Sequence, residues 1–246
     1  MKSLIVRKKI KISKNNDPYI IAEIGTNHNR NYNTAKKMIF NLSKTNCNCI
    51  KFQIYEPFEI VSKSIKSSEY GLDKIYGDIS AEKMFKNYLV TPKKWFPKLK
   101  NFCHSLGLDF AVTIHGENGL NWAKKIKPDL IKIASMDHTN IPFIKKIINK
   151  INVPILASIG MASLKDIKRL KKTLKNHKAG FGIFHCCAVY PSSKKEIRLS
   201  NISYLIKKLN LLVGFSDHTL GKISSGKARS LGANFFEKHV TLNKKF

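Results

Sequence analysis

Eight short apolar runs recur along the chain, and they constrain its fold more than any other feature. Each run has five or six residues, is rich in β-branched side chains, and is nearly continuous rather than alternating in hydrophobicity. Strands with this pattern are buried on both faces, as they are in parallel sheets. The runs cover residues 19–24, 49–54, 109–114, 130–134, 153–158, 181–186, 211–215 and 234–239.

Lysine-rich amphipathic stretches separate these runs and predict helices. They cover residues 33–44, 92–106, 119–126, 141–151, 164–176, 199–209 and 222–231. Strands that alternate with helices eight times are the pattern of a (β/α)8 TIM barrel. A single doubly wound sheet is the alternative, but eight such units in 246 residues fit a barrel better.

Two segments depart from a regular barrel. Only residues 240–246 follow the last run, so the eighth helix is expected to be missing. Residues 55–90 form a long connection after the second run, which is expected to be a lid at the carboxyl side of the barrel. We therefore predict an N-terminal segment that caps the barrel, residues 1–18, and the barrel itself, residues 19–246.

The formal charge of +29 raises the question of nucleic-acid binding. Forty of the 45 basic residues are lysines, however, and they are dispersed over the whole chain. Arginine is the residue favoured for bidentate phosphate and base contacts, and no clusters of arginine with aromatic residues occur. We expect no nucleic-acid partner. A positive field of this kind favours anionic substrates.

The sequence also predicts where the protein is located and how its cysteines and several of its histidines are placed. No apolar stretch approaches the roughly 18–20 residues of a membrane span, and the start of the chain lacks the apolar core of a signal peptide. The cysteine count is odd and no Cys-x-x-Cys pair occurs, so free thiols in the cytoplasm are expected. The cysteines are Cys47, Cys49, Cys103, Cys186 and Cys187. Four histidines are expected to lie on the surface or in loops: His28, His104, His138 and His177.

Polar residues near the carboxyl ends of the runs are the candidate site residues, because barrels of this kind carry their active sites there. Polar groups inside a barrel are costly to bury unless they are paired, and at least six of the eight runs offer one. Lysines and hydroxyls dominate, which suits a phosphate and a carboxylate. The predicted anion-binding residues are Lys51, Gln53, Thr113, Lys132, Ser135 and Ser158.

Two histidines predict a metal site. His218 and His239 end the last two runs, so both are expected to coordinate one divalent metal and to leave positions open for substrate and water. Glu23 and Glu237 are candidates for acid/base chemistry or for holding sugar hydroxyls. Two alternatives stay open at this point. A barrel lysine such as Lys132 could form a Schiff base, and Asp217 either orients a ligand histidine or caps the following turn.

Seven motifs, in the same order along the chain, resemble the N-acetylneuraminate (sialic acid) synthase family, which includes the pseudaminic and legionaminic acid synthases. The resemblance runs from about Tyr19 to Leu242. The motifs are Glu23-Ile-Gly-Thr-Asn-His28, Ile50-Lys-Phe-Gln53, Lys132-Ile-Ala-Ser135, Ser158-Ile-Gly-Met161, His185-Cys-Cys-Ala-Val-Tyr-Pro191, Gly214-Phe-Ser-Asp-His-Thr-Leu-Gly221 and Glu237-Lys-His239.

The resemblance implies a barrel that condenses phosphoenolpyruvate with an N-acetylated amino-sugar aldehyde to give a nonulosonic acid and phosphate. It also implies a divalent metal, Mn²⁺ or Mg²⁺, on His218 and His239. By position, Glu23, Tyr190 and Glu237 would face the sugar and the attacking water. The residues that would hold phosphoenolpyruvate are Lys51, Gln53, Thr113, Lys132, Ser135, Ser158 and Ser216.

The chain departs from the family's pattern in two places. Ala188 stands where the family commonly has a polar residue, which puts one phosphoenolpyruvate contact in doubt. The family's eighth helix and small antifreeze-like C-terminal domain do not follow the last run, so the chain is expected to be truncated. The expected partner is a second copy in a homodimer or a separate C-terminal chain. A barrel that only binds its ligand or a partner is the alternative to an active synthase.

Overall fold

A closed parallel barrel forms the body of the protein. The computed structural model describes residues 3–7 and 10–243. Two short strands, β1 (Leu4–Val6) and β2 (Ile10–Ile12), form an antiparallel hairpin ahead of the barrel. The barrel strands follow in chain order, and the last pairs with the first. They are β3 (Tyr19–Glu23), β4 (Cys49–Ile54), β5 (Asp109–Ile114), β6 (Leu130–Ile133), β7 (Ile155–Ser158), β8 (Phe181–Cys186), β9 (Val213–Asp217) and β10 (Phe235–His239). The predicted (β/α)8 architecture is confirmed.

Each pair of consecutive barrel strands is connected by a helix. Three short helices, α2, α3 and α4, lie within the long connection after β4. The last described residues, 240–243, follow β10 without forming a helix. The helices are α1 (Tyr32–Ser43), α2 (Pro57–Ile60), α3 (Asp73–Tyr76), α4 (Ala81–Met84), α5 (Phe96–Ser105), α6 (Gly116–Ile126), α7 (Ile141–Lys150), α8 (Leu164–Leu174), α9 (Ser200–Leu209) and α10 (Ile223–Ser230).

The floor of the barrel is an apolar layer built from inward-facing strand residues. Successive strand side chains point to opposite faces, so every second residue of a strand points inward. Phe235 is the largest inward residue of β10, and a Cβ added to Gly214 would lie 2.2 Å from its ring. Glycine at position 214 therefore makes room for this ring. The layer comprises Tyr19, Ile21, Cys49, Ala111, Leu130, Leu156, Phe184, Leu212 and Phe235.

The β1–β2 hairpin packs against this floor. Leu4, Val6 and Ile12 are buried and belong to the same apolar cluster as the floor residues. The division of the chain into residues 1–18 and residues 19–246 stays a prediction.

Three of the four histidines expected on the surface or in loops are buried, so the surface interpretation is wrong for them. His28, His138 and His177 lie in turns, but at most 7% of each is exposed. His104 is partly exposed and pairs with Asp129, with 2.7 Å between Nε2 and Oδ2. Turn residues can be buried when distant elements pack over them, and a single sequence gives no signal of that packing.

His28 is held as a neutral imidazole. Its Nδ1 accepts the N–H of Arg30 at 2.9 Å, so Nε2 carries the proton and donates to Thr91 Oγ1 at 2.8 Å. Burial, with a smaller contribution from Arg30, lowers the pKa of His28 from 6.5 to about 4. Protonation is therefore disfavoured in the folded state.

We expect His28→Asn to reduce the acid sensitivity of folding. In the unfolded chain the histidine takes up its proton near pH 6.5, whereas in the folded protein it does so near pH 4. Stability is therefore lost as the pH falls through this window, by about 3 kcal/mol if the whole shift is realised. Urea unfolding at several pH values between 8 and 4 measures this loss. If the free energy of unfolding depends on pH in the same way for wild type and variant between pH 7 and pH 4.5, then His28 is not the group whose protonation destabilises the fold.

The described residues contain no helix that is long and apolar enough to cross a membrane.

All five cysteines are free, as predicted, and Cys49, Cys103 and Cys186 are buried.

Candidate active site

A polar layer lies above the apolar floor and lines a central cavity of about 270 Å³. Its side chains follow the floor residues by two positions on each strand, so they point inward as well. Eleven of the twelve predicted site residues line this cavity, and the twelfth, Ser216, donates a hydrogen bond to one of them, Glu237. The eleven are Glu23, Lys51, Gln53, Thr113, Lys132, Ser135, Ser158, Tyr190, His218, Glu237 and His239.

Two buried lysines and two buried glutamates form an ion network at the base of the cavity. Lys51 Nζ lies 2.6 Å from Glu23 Oε2 and 3.5 Å from Glu237 Oε2. Lys132 Nζ pairs with Glu237 Oε1 from the opposite side of the barrel. At most 9% of each of the four side chains is exposed. The charges balance, and this explains how four ionised groups are tolerated inside the barrel.

The network keeps Glu237 and Lys51 charged despite burial. Burial alone disfavours the Glu237 carboxylate, but Lys132 and Lys51 outweigh it and hold the pKa of Glu237 well below its usual range. Burial likewise disfavours the Lys51 ammonium, but Glu23 and Glu237 raise its pKa above the ordinary value. Lys132 Nζ is engaged in an ion pair with Glu237, and this gives no support to the Schiff-base alternative, which needs a free amine.

Hydroxyl groups surround the lysines. Thr113 Oγ1 accepts from Lys51 Nζ at 2.6 Å, and Ser216 Oγ donates to Glu237 Oε1 at 3.0 Å. Ser135 Oγ accepts the N–H of Gly160 at 3.1 Å. Ser158 Oγ is buried and has no hydrogen-bond partner. A buried hydroxyl without a partner, beside two lysines, is available to a ligand.

His218 and His239 lie side by side at the mouth of the cavity, with 6.0 Å between their ring centroids. His218 Nδ1 donates to the carbonyl of Cys187 at 2.6 Å, which leaves a lone pair on Nε2. The Ser216 hydroxyl, 3.2 Å from that Nε2, gives its only proton to Glu237. Burial lowers the pKa of His218 to about 4 and also lowers that of His239. Both imidazoles are therefore neutral at pH 7.

The histidine pair fits a divalent metal with open positions. Two imidazoles that share one ion have centroids at most roughly 6.4 Å apart, because each nitrogen lies about 2.1 Å from the metal. The observed 6.0 Å lies close to that limit, so the two rings would share one ion with the metal near the line between them. Among the described residues no group of three or more His, Cys, Asp or Glu side chains is arranged to hold a metal. The protein would thus supply two ligands.

Asp217 caps the turn that follows β9 and does not orient His218. Its Oδ1 accepts the N–H and the hydroxyl of Thr219 at 2.8 Å and 2.7 Å. Its Oδ2 accepts from Ser225 Oγ at 2.6 Å and pairs with Lys238 Nζ at 2.9 Å. The carbonyl of Cys187 orients His218 instead.

A wider groove of about 720 Å³ adjoins the central cavity. Tyr190, His218 and His239 line both, so these three residues stand at the junction. The Tyr190 ring stacks on the His218 ring with 3.9 Å between centroids. A ligand larger than the central cavity can therefore extend past the histidines into the groove.

The long connection after β4 does not close over this site. Among the described residues, none between 56 and 90 lines the central cavity or the groove. The connection instead packs beside α6, where Glu59 Oε1 accepts the N–H of Asn118 at 3.0 Å. The structure therefore gives no support to the expected lid.

The comparison with protein families agrees with this geometry. The model of the NeuB family matches residues 38–246. The chain belongs to the NeuB family.

Relatives in the NeuB family carry closely related names. N-acetylneuraminate-9-phosphate synthase of Drosophila melanogaster is 36% identical over 228 residues, which are 92% of this chain and 60% of the relative. N,N'-diacetyllegionaminic acid synthase of Legionella pneumophila is 28% identical, over 92% of this chain and 64% of the relative. The chain thus spans less than two thirds of the length of these two relatives.

A solved structure has the same fold over almost the whole chain. It is the N-acetylneuraminic acid (sialic acid) synthetase of Leptospira borgpetersenii in complex with citrate. The TM-score is 0.85 at 30% sequence identity, covering 99% of this chain and 80% of the other.

Several residues that line the central cavity were not among the predicted site residues. His115 Nδ1 lies 2.7 Å from Asp137 Oδ2 on the cavity wall. Cys186, Met136 and Met161 also line the cavity. His115 directly follows β5, and its position after a barrel strand was a usable signal. The apolar residues gave no comparable signal, because nothing in their type separates them from core residues.

Proposed function

We propose that this chain condenses phosphoenolpyruvate with an N-acetylated amino-sugar aldehyde, giving a nonulosonic acid and phosphate. The central cavity carries the proposal, because it combines two lysines, an unpartnered hydroxyl and two neutral histidines in one space. Names of synthases among the relatives support the same reaction class. Five free thiols and a substrate of central metabolism support a cytoplasmic location.

Lys51 and Lys132 would bind the phosphate and the carboxylate of phosphoenolpyruvate. Both side-chain nitrogens are buried and form ion pairs, so an anion gains strong charge-assisted hydrogen bonds there. The arriving anion competes with Glu23 and Glu237 for the same lysines. Neutral donors complete the site, and these are Gln53, Thr113, Ser135, Ser158 and Ser216.

His218 and His239 would hold a divalent ion, and we propose Mn²⁺ or Mg²⁺. The ion would supply Lewis acidity to the aldehyde oxygen of the sugar. The Cys187 carbonyl fixes the His218 ring, so the Nε2 lone pair faces the cavity in the ligand-free protein. Carbon three of phosphoenolpyruvate then attacks the aldehyde, water adds at carbon two, and phosphate leaves by C–O cleavage.

Glu23, Glu237 and Tyr190 would face the sugar and the water. Glu23 Oε1 accepts from Gln53 Nε2 at 2.8 Å, and this contact holds its carboxylate at the cavity edge. A glutamate that loses its lysine to the phosphate can accept a proton from the attacking water. Tyr190 stands between the cavity and the groove, where the sugar chain would pass.

We propose that a homodimer partner or a separate C-terminal chain covers the rim of the groove. A large apolar side chain there is open to solvent: Leu220, which lines the groove, is 84% exposed. Apolar surface of this kind is typical of an interaction site.

Phosphate release from phosphoenolpyruvate tests the proposed reaction directly. The full chain is assayed with Mn²⁺ or Mg²⁺ and with N-acetylmannosamine, its 6-phosphate, or 2,4-diacetamido sugars. The 6-phosphate is included because three added carbons would turn it into a 9-phosphate. We expect release that needs both a sugar and the metal and that stops when the metal is chelated.

The preferred sugar then separates sialic acid synthesis from pseudaminic and legionaminic acid synthesis. Binding of phosphoenolpyruvate without turnover on any sugar would favour the alternative, a barrel that only binds its ligand or a partner.

A further inference from the structure

A second cavity, of about 440 Å³, opens between the amino-terminal ends of α9 and α10. It shares no lining residue with the central cavity or with the groove. Its volume lies in the range of small-molecule sites, about 300–1,000 Å³. The lining residues are Lys194, Lys195, Ile197, Arg198, Leu199, Ser200, Ile223, Ser224, Lys227 and Leu231.

The charge of this second cavity is entirely positive. Four of its ten lining residues are basic and none is acidic. None of the four forms an ion pair within the described part of the chain. The nearby Glu196 turns back to accept the N–H of Ser193 at 2.7 Å and does not line the cavity. The four cations therefore have no local counter-charge.

Both helix ends at the cavity lack a cap. Neither α9 nor α10 has a side-chain cap or an acidic residue in its first turn. The first N–H groups of a helix have no partner inside the helix and carry a partial positive charge. In α9, turn bonds satisfy the N–H groups of Asn201 and Ile202. In α10 the first bonded N–H is that of Gly226, so the open donors belong to the start of α10.

Ser224 supplies an observation that is independent of the helix end and the charges. This residue is only 5% exposed and lines the cavity in the first turn of α10. Its hydroxyl has no hydrogen-bond partner among the described residues, whereas the neighbouring Ser225 hydroxyl is bound by Asp217. A hydroxyl that lines the cavity without a protein partner, beside free N–H groups, is available to a ligand that brings acceptor oxygens.

We propose that this second cavity binds a phosphate monoester or a free phosphate dianion. A phosphoryl group offers several strong acceptor oxygens and two negative charges, which match helix N–H groups, a hydroxyl and lysines. Ser224 and the first N–H groups of α10 would receive the phosphoryl oxygens. Lys227 and Arg198 would neutralise the charge. The second cavity is separate from the proposed reaction, because none of its lining residues has a role in that reaction.

Calorimetric titration of the full chain with inorganic phosphate, and separately with glycerol 3-phosphate, tests this site. We expect Ser224→Ala and Lys227→Gln each to weaken phosphate binding by about tenfold, since each removes one hydrogen bond to a charged group. Lys227 is exposed, so its variant is expected to fold even if Ser224→Ala does not. Tighter binding of glycerol 3-phosphate would identify a monoester as the preferred ligand, and equal binding would identify the phosphoryl group alone.

Lys172→Gln is the matched control. Lys172 lines a basic groove of about 560 Å³ between α7 and α8, where the Asn140 side chain caps the start of α7 and no buried hydroxyl lines the groove. Phosphate bound in the central cavity contributes equally to all variants, so the result does not depend on whether the chain turns over phosphoenolpyruvate. Unchanged binding in Ser224→Ala and Lys227→Gln, or an equal loss in Lys172→Gln, would overturn the proposal.

Discussion

Lys51→Met is expected to lower the free energy of unfolding by about 3–5 kcal/mol, because it leaves two buried carboxylates with one ammonium between them. Lys51 is 2% exposed and pairs with both Glu23 and Glu237. Methionine fills a similar volume, so the loss comes from charge rather than from an empty space. Urea unfolding at pH 7 measures the change. Sugar-dependent phosphate release is expected to be undetectable in the same variant.

Two further variants distinguish the effect of breaking the ion network from the effect of removing any lysine. Lys51→Met combined with Glu23→Gln removes one charge of each sign, and we expect it to recover about 1–3 kcal/mol. Lys98→Met removes an exposed lysine from α5 and should change stability by no more than about 0.5 kcal/mol. A double variant as unstable as Lys51→Met would show that Glu23 is not the group left unpaired.

The sequence predicts most of the barrel because hydrophobic burial determines it locally. A run such as 109–114 is buried at every position, and four of its six residues are apolar. Alternation by two residues also predicts that Lys51 and Gln53, or Glu237 and His239, point the same way. These four side chains all line the central cavity, as expected from their positions near the carboxyl ends of the strands.

Partners across the barrel could not be predicted in the same way. Lys132 and Glu237 are 105 residues apart and lie on strands that are not neighbours, so no local pattern connects them. The sequence therefore indicated two anion-binding lysines but not their pairing with two glutamates. The burial of His28 could not be predicted for a similar reason. Its burial depends on Trp95, whose ring packs edge-on at 5.6 Å, and on Thr91, both far along the chain.

His239→Ala is expected to lower kcat/KM for phosphate release by at least about 10³-fold. Polarisation of a carbonyl by a metal contributes several kcal/mol to a transition state, and each 1.36 kcal/mol corresponds to about tenfold in rate. His239 has no hydrogen-bond partner among the described residues, and its ring lies 6.0 Å from that of His218. Its removal leaves one protein ligand, so Mn²⁺ binding measured by calorimetry should weaken as well.

His104→Ala is the control, because this histidine pairs with Asp129 and does not line the cavity or the groove. Wild type and His104→Ala should both recover activity when Mn²⁺ is restored after chelation, whereas His239→Ala should not. Stability of His239→Ala should stay close to wild type, since the side chain is only partly enclosed and reaches solvent at the cavity mouth. A variant that loses turnover but still binds Mn²⁺ as tightly as wild type would show that His239 acts on the substrate and not as a metal ligand. That result would leave His218 alone among the predicted ligands, and a single imidazole is too few to fix a catalytic ion.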